Sequence, residues 1–305
     1  MNVANAQPGE RRRLPAGDGA MCPCGSGLAY RDCHQPVVEA PPEIRFDVAR
    51  RAYARSWAVN AACYEAQGLY GRLARHLASH RPGPRLVDLG CGRGDGMAVL
   101  RGEMRGEIIG VDENPACLAA AAARLGIAAP GHRLQARSFA SDGYELAYGA
   151  PEVPTLTGTA LIQSDLLRPD EALASALGRV DAVTLWFPGT HRAREHDRLV
   201  RTMQLTTDEH YAVAIELAAM AFAARQLRPG GLLQIVDRGA HPDLAAIASA
   251  FRGRFTAMAE ISGLALVDLR ALRHREPSGS GAIAVNTLSP CNGPTAAVSA
   301  IFRRR

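Results

Sequence analysis

The 305-residue chain carries a formal net charge of +5 and is 47% hydrophobic. This length suits one large α/β domain with a small appendage. No apolar run reaches the roughly 20 residues that span a bilayer, and the first residues lack the apolar core of a signal peptide. We therefore expect a cytoplasmic protein with no membrane association, whose seven cysteines are reduced and serve as metal ligands or core residues.

Four potential zinc ligands follow an N-terminal segment that has no hydrophobic periodicity. Residues 1–20 are Gly, Pro, Arg and small polar residues, which predicts a disordered tail. Residues 21–36 then contain ligands enough for one tetrahedral zinc site, and too few apolar residues to fold without a metal. The predicted ligands are Cys22, Cys24, Cys33 and His34.

This segment resembles the SEC-C zinc motif. The shared residues are the run from Cys22 to Gly27 (C-P-C-G-S-G), Tyr30 and the terminal pair Cys33-His34. The motif is a small appended module in the bacterial preprotein translocase ATPase and in many other proteins. The resemblance implies a bound zinc ion and a protein partner. Leu28-Ala29 stands where the family usually has lysines, so the identity of that partner stays open.

Two helical patterns precede the first predicted strand. Residues 37–45 follow Pro36 and contain Pro41 and Pro42, and they are predicted to form a semi-extended linker. Tyr53, Trp57 and Tyr64 then recur at helical spacing, which predicts a helical cap over residues 46–80. This aromatic stripe is either plain core or a wall that contacts a substrate.

A glycine-rich turn follows the first strand. The apolar run at residues 86–89 contains Asp88 and leads into Gly90, Gly92 and Gly94, after which the pattern becomes helical. Glycine has no side chain and adopts positive φ at low cost, so a nucleotide-like ligand can lie against the backbone of such a turn. The pattern predicts a strand, a ligand-binding turn and a helix.

Carboxylates follow the next two predicted strands. Asp112 ends the second strand, and Asn114 is placed to cap a helix that begins at Pro115. A carboxylate at this position binds ribose hydroxyls in doubly wound sheets. Asp165 follows the third strand, and Trp186 ends the fourth.

Taken in order, these motifs resemble the class I S-adenosylmethionine (SAM)-dependent methyltransferases, over the chain from about Phe46 to its C-terminal end. The resemblance implies SAM as cofactor and an α/β fold, with a seven-stranded, doubly wound, Rossmann-like sheet in residues 81–305. The implied cofactor residues are Asp88, Gly90, Cys91, Gly92, Gly94, Asp112, Glu113, Asn114, Ser164, Asp165, Leu166 and Trp186. A nicotinamide-binding Rossmann enzyme expects G-x-G-x-x-G, and Asp95 stands where its third glycine is needed.

The remaining patterns fill in this fold. Residues 126–158 exceed the usual length of a connection and are predicted to form an irregular excursion with a short hairpin around 134–138. Thr206-x-x-Glu209 is read as the capping box of a long helix. The last strands, which the resemblance implies are antiparallel, are predicted at Leu264–Leu272, Ala282–Leu288 and Ala296–Phe302.

Two residues are candidates for a general base. His191 follows the fourth strand and has an unperturbed pKa near neutrality, although a surface histidine is an equal alternative. Asp237, at the end of the fifth strand, is the second candidate.

The acceptor of the methyl group is left open between classes. The helical cap favours a small molecule or a protein. The zinc module and three arginines at helical spacing (Arg194, Arg198 and Arg201) would instead suit RNA, but acidic residues interrupt the cluster, and a solvated charged face is favoured. The third alternative is a non-catalytic SAM-binding module that interacts through its zinc knuckle.

Overall fold

A computed structural model describes most of the chain. The described residues are 19–20, 29–32, 35–128, 130–140, 143–151, 158–240, 243–277 and 295–305. The four predicted zinc ligands, most of the predicted disordered tail and the predicted strand Ala282–Leu288 lie outside them. Among the described residues, no helix is long and apolar enough to cross a membrane.

The described residues form nine α-helices and nine strands. The α-helices are α1 (Gln35–Glu39), α2 (Pro42–Ala66), α3 (Leu69–Ala78), α4 (Asp95–Glu103), α5 (Pro115–Leu125), α6 (Glu171–Leu177), α7 (Arg198–Thr202), α8 (Asp208–Gln226) and α9 (Leu244–Ser262), with 3-10 turns at Tyr30–Asp32 and Arg192–His196. The strands are β1 (Arg85–Leu89), β2 (Glu107–Asp112), β3 (Leu134–Ala140), β4 (Gly143–Tyr148), β5 (Thr159–Gln163), β6 (Val180–Trp186), β7 (Leu227–Ala240), β8 (Leu264–His274) and β9 (Thr295–Arg304).

Seven of these strands form one sheet, in the order β5-β2-β1-β6-β7-β9-β8. β5, β2, β1, β6 and β7 pair in parallel, whereas β9 pairs antiparallel with both β7 and β8. The strand order reverses beside β1, so β1 and β6 flank the crevice where open α/β sheets bind ligands. The predicted seven-stranded, doubly wound α/β fold with antiparallel final strands is confirmed.

Helices cover both faces of the sheet. One apolar core joins the sheet to α6, α8 and α9, and includes Phe222 and Phe255. The other joins it to α2, α3, α4 and α5, and includes Leu73 and Met97. All seven residues of β6 are buried, as expected for a parallel strand packed on both faces. The predicted helical cap is confirmed as α2 and α3.

Two local predictions are wrong, and both concern helix starts. Residues 37–45 are not an extended linker, because α1 spans Gln35–Glu39 and α2 begins at Pro42. Proline lacks only an N–H that the first turn of a helix leaves unpaired, so prolines here mark a helix start. The cap of α8 is Thr207, whose Oγ1 accepts from His210 N at 3.1 Å, and not Thr206.

The excursion between α5 and β5 contains the predicted hairpin, in a longer form. β3 and β4 pair antiparallel as a separate two-stranded sheet. Tyr144 of this hairpin donates its hydroxyl to Ala193 O at 2.8 Å, and its ring contacts Phe46 of α2. The hairpin therefore packs between the start of α2 and the 3-10 turn that follows β6.

Candidate cofactor and acceptor site

A cleft opens at the carboxyl ends of the parallel strands. It encloses roughly 720 Å³ of space between the sheet, α2 and the start of α8. Its lining comprises Tyr53, Trp57, Gly90, Gly92, Val111, Asp112, Glu113, Asn114, Ser164, Asp165, Leu166, Leu185, Trp186, Phe187, Pro188, Gly189, Thr190, His191, Tyr211 and Ile215. The cleft lies where open α/β sheets bind ligands, outside the carboxyl ends of the strands.

The glycine turn has the backbone that its sequence predicts. Gly90, Gly92 and Gly94 have φ of 65°, 55° and 76°, in the left-handed region that favours glycine. The N–H groups of Gly90 and Cys91 donate to Val111 O of β2, at 2.7 and 3.1 Å. A side chain on Gly92 would also lie 3.1 Å from Trp57 Nε1, so the turn needs glycine for space as well.

Asp112 is held in place by backbone donors on both sides. Its Oδ2 accepts from Gly92 N at 2.9 Å and its Oδ1 accepts from Asn114 N at 2.8 Å. Each carboxylate oxygen has a second lone pair, so the cleft side can still accept hydrogen bonds from a ligand. Burial, with a smaller contribution from Glu113, raises the pKa of Asp112 to about 6.

A smaller hollow of roughly 290 Å³ adjoins the cleft and shares Trp57, Gly90, Trp186 and Phe187 with it. It is also lined by Asp88, whose Oδ1 accepts from Thr184 Oγ1 at 2.6 Å. Burial raises the pKa of Asp88 to about 7, although the hydrogen bond from Thr184 opposes the shift. The other polar groups of this hollow include Tyr70 and Asp95.

Glu113, next to Asp112, belongs to a buried ion-pair network. Its Oε2 accepts from Arg50 Nε at 2.9 Å and from Nη2 at 2.5 Å. The Arg50 guanidinium also lies 3.8 Å from the ring centre of Phe46, a cation–π distance. Burial alone would raise the pKa of Glu113, but Arg50 and His191 outweigh it and hold that pKa below its usual range.

His191 lies next to the other oxygen of the Glu113 carboxylate. Its Nε2 is 2.9 Å from Glu113 Oε1, but neither ring nitrogen has a partner in hydrogen-bonding geometry. Burial lowers the pKa of His191, and Glu113 only partly offsets this, so the ring is neutral at pH 7. The structure therefore brings His191 to the cleft, 4% exposed, and does not make it a surface histidine.

Asp237 is not among the residues that line the cleft. Its Oδ1 accepts from Arg238 N at 2.7 Å, and its Oδ2 accepts from Arg254 Nη2 at 3.0 Å. Arg254 also binds Glu216, whose pKa is raised by burial and by Asp237. Asp237 and Glu216 thus share Arg254 as a bridging cation, and the structure does not place Asp237 in the lining of the cleft.

The three arginines after β6 do not share a helical face, so that prediction is wrong. Arg194 lies in the 3-10 turn, whereas Arg198 and Arg201 lie in α7. Arg194 is 2% exposed, and its Nη1 donates to Asp165 Oδ2 at 2.8 Å. A buried carboxylate needs such a partner, which explains why this arginine turns inward.

Asp165 lines the cleft with a carboxylate that is already bound. Arg168 Nη1 donates to Oδ2 at 2.5 Å, in addition to Arg194, and Leu167 N donates to Oδ1 at 3.1 Å. Burial raises its pKa, but the two arginines outweigh burial and the net shift is downward. Contact of Asp165 with adenine stays a prediction.

Several site residues were missed by sequence reasoning. Arg50 is the most informative, since it stands in register with Phe46, Tyr53 and Trp57 on α2. An arginine within an apolar helical stripe is a signal for a buried ion pair, but the sequence alone does not name Glu113 as the partner. Tyr211 also lines the cleft, and no local motif marks it.

One family model matches the N-terminal part of the chain. Residues 20–36 match the model of the SEC-C motif. No curated protein sequence matches the chain significantly. The match to the SEC-C motif thus lies ahead of the doubly wound sheet in the chain.

Three solved structures illustrate the similarity. A putative methyltransferase from Bacillus halodurans is 12% identical, with 77% of this chain and 98% of that chain covered and a TM-score of 0.43. The N-methyltransferase NodS from Bradyrhizobium japonicum, in complex with S-adenosylhomocysteine, is 13% identical over 78% and 86%, with a TM-score of 0.42. A TehB-like SAM-dependent methyltransferase from Corynebacterium glutamicum is 17% identical over 83% and 99%, with a TM-score of 0.44. Similarity at these identities and TM-scores does not assign a function to this chain.

Proposed function

We propose that the chain is a SAM-dependent methyltransferase that acts on a small molecule or a protein. The observation that carries the proposal is Asp112. It ends the second strand of the sheet, faces the cleft and is oriented by the N–H groups of Gly92 and Asn114. That geometry offers two carboxylate oxygens to the two hydroxyls of a ribose.

The rest of the cleft suits the other parts of SAM. Leu166 and Asp165 lie beyond Asp112, on the side expected for adenine. The smaller hollow suits the amino-acid end, because Tyr70 Oη and Asp95 Oδ2 are buried there with no hydrogen-bond partner. Unpaired buried polar groups are costly, and a ligand's charged amino and carboxyl groups would satisfy them.

SAM supplies a methyl group on a sulfonium, which is already activated toward a nucleophile. The contribution of the protein is therefore alignment and the exclusion of water. Tyr53 and Trp57 of α2 cover the cleft from one side. Phe187, after β6, has a φ of 56° although it is not glycine, and strain of this kind concentrates at functional sites.

His191 is the group of the cleft that can take up a proton. Because burial lowers its pKa, the ring is neutral and able to accept at physiological pH. Glu113, 2.9 Å from Nε2, would stabilise the ring once it is protonated. A His191→Asn variant is expected to lower kcat and leave the dissociation constant of SAM unchanged, for an acceptor that must lose a proton.

The proposal is tested by labelling a cell extract with SAM that carries a radioactive methyl group. Transfer into material that survives ribonuclease supports a small molecule or protein, and protease treatment separates these two. Loss of the label after ribonuclease points to RNA. SAM binding without any transfer would favour the non-catalytic alternative, and tighter binding of NAD than of SAM would overturn the cofactor assignment.

We further propose that Cys22, Cys24, Cys33 and His34 hold one zinc ion. The match of residues 20–36 to the SEC-C motif and the four ligand types support this assignment. A Cys22→Ala/Cys33→Ala variant is expected to lose one zinc per chain in elemental analysis and to keep its SAM affinity. Full retention of zinc in that variant would contradict the assignment.

A further inference from the structure

One cluster of metal-ligating side chains lies outside the cleft. Among the described residues, His76, His80 and Asp268 form the group whose ligand atoms converge, all within 4.8 Å of one another. His76 belongs to α3, His80 follows it by one helical turn, and Asp268 belongs to β8. Asp268 Oδ2 lies 2.9 Å from His76 Nε2 and 3.1 Å from His80 Nε2.

We propose that these three side chains form a zinc site. Two imidazoles and one carboxylate are ligands that Zn²⁺ accepts. His80 lies in the turn after α3, and its Nε2 reaches the same carboxylate oxygen as Nε2 of His76. Metal–ligand bonds of about 2.0–2.2 Å place tetrahedral ligand atoms roughly 3.3 Å apart. The observed distances of 2.9 and 3.1 Å from Asp268 Oδ2 need to widen by only a few tenths of an ångström. The ligand atoms of the two histidines lie within 4.8 Å of each other and would take up the same separation around the ion.

The outer contacts fix the ligands in the required orientation. His76 Nδ1 lies 2.8 Å from Ser299 Oγ, and Leu269 N donates to Asp268 Oδ1 at 2.8 Å. Ligating histidines commonly bind a second group through their other nitrogen, which sets the tautomer and the plane of the ring. With Nε2 of His76 bound to the metal, Nδ1 would carry the ring proton and donate a hydrogen bond to Ser299 Oγ.

This outer contact belongs to a buried polar network. Ser299 Oγ accepts from Gln234 Nε2 at 2.8 Å, and Gln234 Oε1 accepts from Trp186 Nε1 at 3.0 Å. His76 is thereby anchored to β9, β7 and β6, in the centre of the sheet. Its position is set by these contacts and does not depend on the metal.

The site has both an entry path and one competing group. The side chain of His76 is 1% exposed, whereas those of His80 and Asp268 are 19% and 27% exposed. The metal would enter from this side, where a water molecule completes its coordination. Arg270 Nη2 lies 3.2 Å from Asp268 Oδ2, but its side chain is 51% exposed and can turn into solvent.

The position of the cluster indicates what the metal would do. Among the strands of the described residues, β8 lies at the end of the sheet and pairs with β9. The zinc ion would join this edge strand to α3. An edge strand held from the side is less available for pairing with another chain. We therefore assign the site a structural role, independent of the proposed methyltransferase activity.

The test measures zinc per chain after dialysis of the full-length protein against a small excess of zinc chloride. The starting protein is the Cys22→Ser/Cys33→Ser variant, so that the zinc motif does not contribute. We expect it to keep about one zinc per chain. Adding His80→Asn should remove that zinc. The control His132→Asn, which changes an exposed histidine, should not. A variant that lacks zinc before His80 is changed, or keeps it afterwards, overturns the proposal.

A second measurement guards against loss of the fold. The melting temperature of the Cys22→Ser/Cys33→Ser protein is compared with and without zinc chloride. Zinc should raise it, and the increase should disappear in Asp268→Asn while the melting temperature without zinc changes little. An equal increase in both proteins would show that the metal binds elsewhere and would contradict the proposal. Because SAM binding is measured separately, this result does not depend on the function of the cleft.

Discussion

The two sides of the cleft are built in different ways. On the side of β1 and β2, the glycine turn and Asp112 are fixed by hydrogen bonds of the main chain. On the side of α2 and the 3-10 turn, buried side chains are fixed by ion pairs between distant residues. Arg50 and Glu113 are 63 positions apart, and Asp165 and Arg194 are 29 apart. The first side depends on local sequence, whereas the second depends on the assembled fold.

The largest effect is expected on stability, when an ion pair on the side of α2 is removed. An Arg50→Ala variant leaves Glu113 without its main cation in a buried setting, where loss of one partner costs about 3–5 kcal/mol. Urea denaturation should show a decrease of this size in the free energy of unfolding.

A matched control is Arg198→Ala. Arg198 pairs with Glu145 at 2.9 Å, but the two side chains are 48% and 56% exposed. An exposed pair of this kind contributes about 0.2–1 kcal/mol, and the effect should be correspondingly small. Equal destabilisation by the two variants would show that the Arg50–Glu113 network does not hold this side together.

The next largest effect is expected on SAM affinity, when Asp112 on the side of β1 and β2 is changed. Asp112→Ala removes charge-assisted hydrogen bonds to the ribose, worth on the order of 1.5–3 kcal/mol. Calorimetry should therefore show SAM affinity reduced at least tenfold. Glu171→Gln, which changes a carboxylate that is 75% exposed, should leave the affinity unchanged. Unchanged affinity in Asp112→Ala would contradict the ribose assignment.

The first side of the cleft was predictable from the sequence for a physical reason. Glycines with positive φ, a carboxylate that ends a strand and a capping Asn114 are all determined by their immediate neighbours. Such features form from neighbouring residues and do not require contacts with distant parts of the fold. The seven-stranded sheet was expected from the resemblance to the class I methyltransferases. The local periodicity only placed strands and helices along the chain.

The other side was not predictable in the same way. Arg194 was read as part of a solvated helical face, yet it is buried against Asp165. The sequence around Arg194 has no apolar helical stripe like the one around Arg50, so it gives no local sign that this arginine binds a buried carboxylate. The prolines near residue 40 led to the wrong prediction of an extended linker. Proline disrupts the interior of a helix, but it is favourable in the first turn.

A smaller effect concerns pH. The pKa of Asp112 is raised to about 6, and an acid is charged only above its pKa, so acidification removes the ribose acceptor's charge. SAM affinity should therefore weaken as the pH falls through about 6, by up to tenfold per unit below the pKa. Asp88, with a pKa raised to about 7, acts in the same direction.

The Asp112→Asn variant separates these two carboxylates. It keeps a similar shape but has no charge to lose, so its affinity should depend less steeply on pH than that of the unchanged protein. Calorimetric titrations between pH 5 and 8 are the measurement. Parallel profiles for the two proteins would show that the titration of Asp112 does not govern binding.

The smallest effect is expected from the arginines that remain on the surface after β6. Arg194 is committed to Asp165, and Arg198 is paired with Glu145, so these two described side chains are less available to RNA phosphates. An Arg198→Ala/Arg201→Ala variant should bind RNA as weakly as the unchanged protein, in the non-specific range of about 10⁻⁴–10⁻⁶ M at physiological salt. Each phosphate contact releases counterions, so the salt dependence of binding counts the contacts directly, and the double change should leave that slope nearly unaltered. Filter binding with transfer RNA over a series of salt concentrations measures both quantities. Nanomolar affinity that the double variant abolishes would place the acceptor among the RNAs.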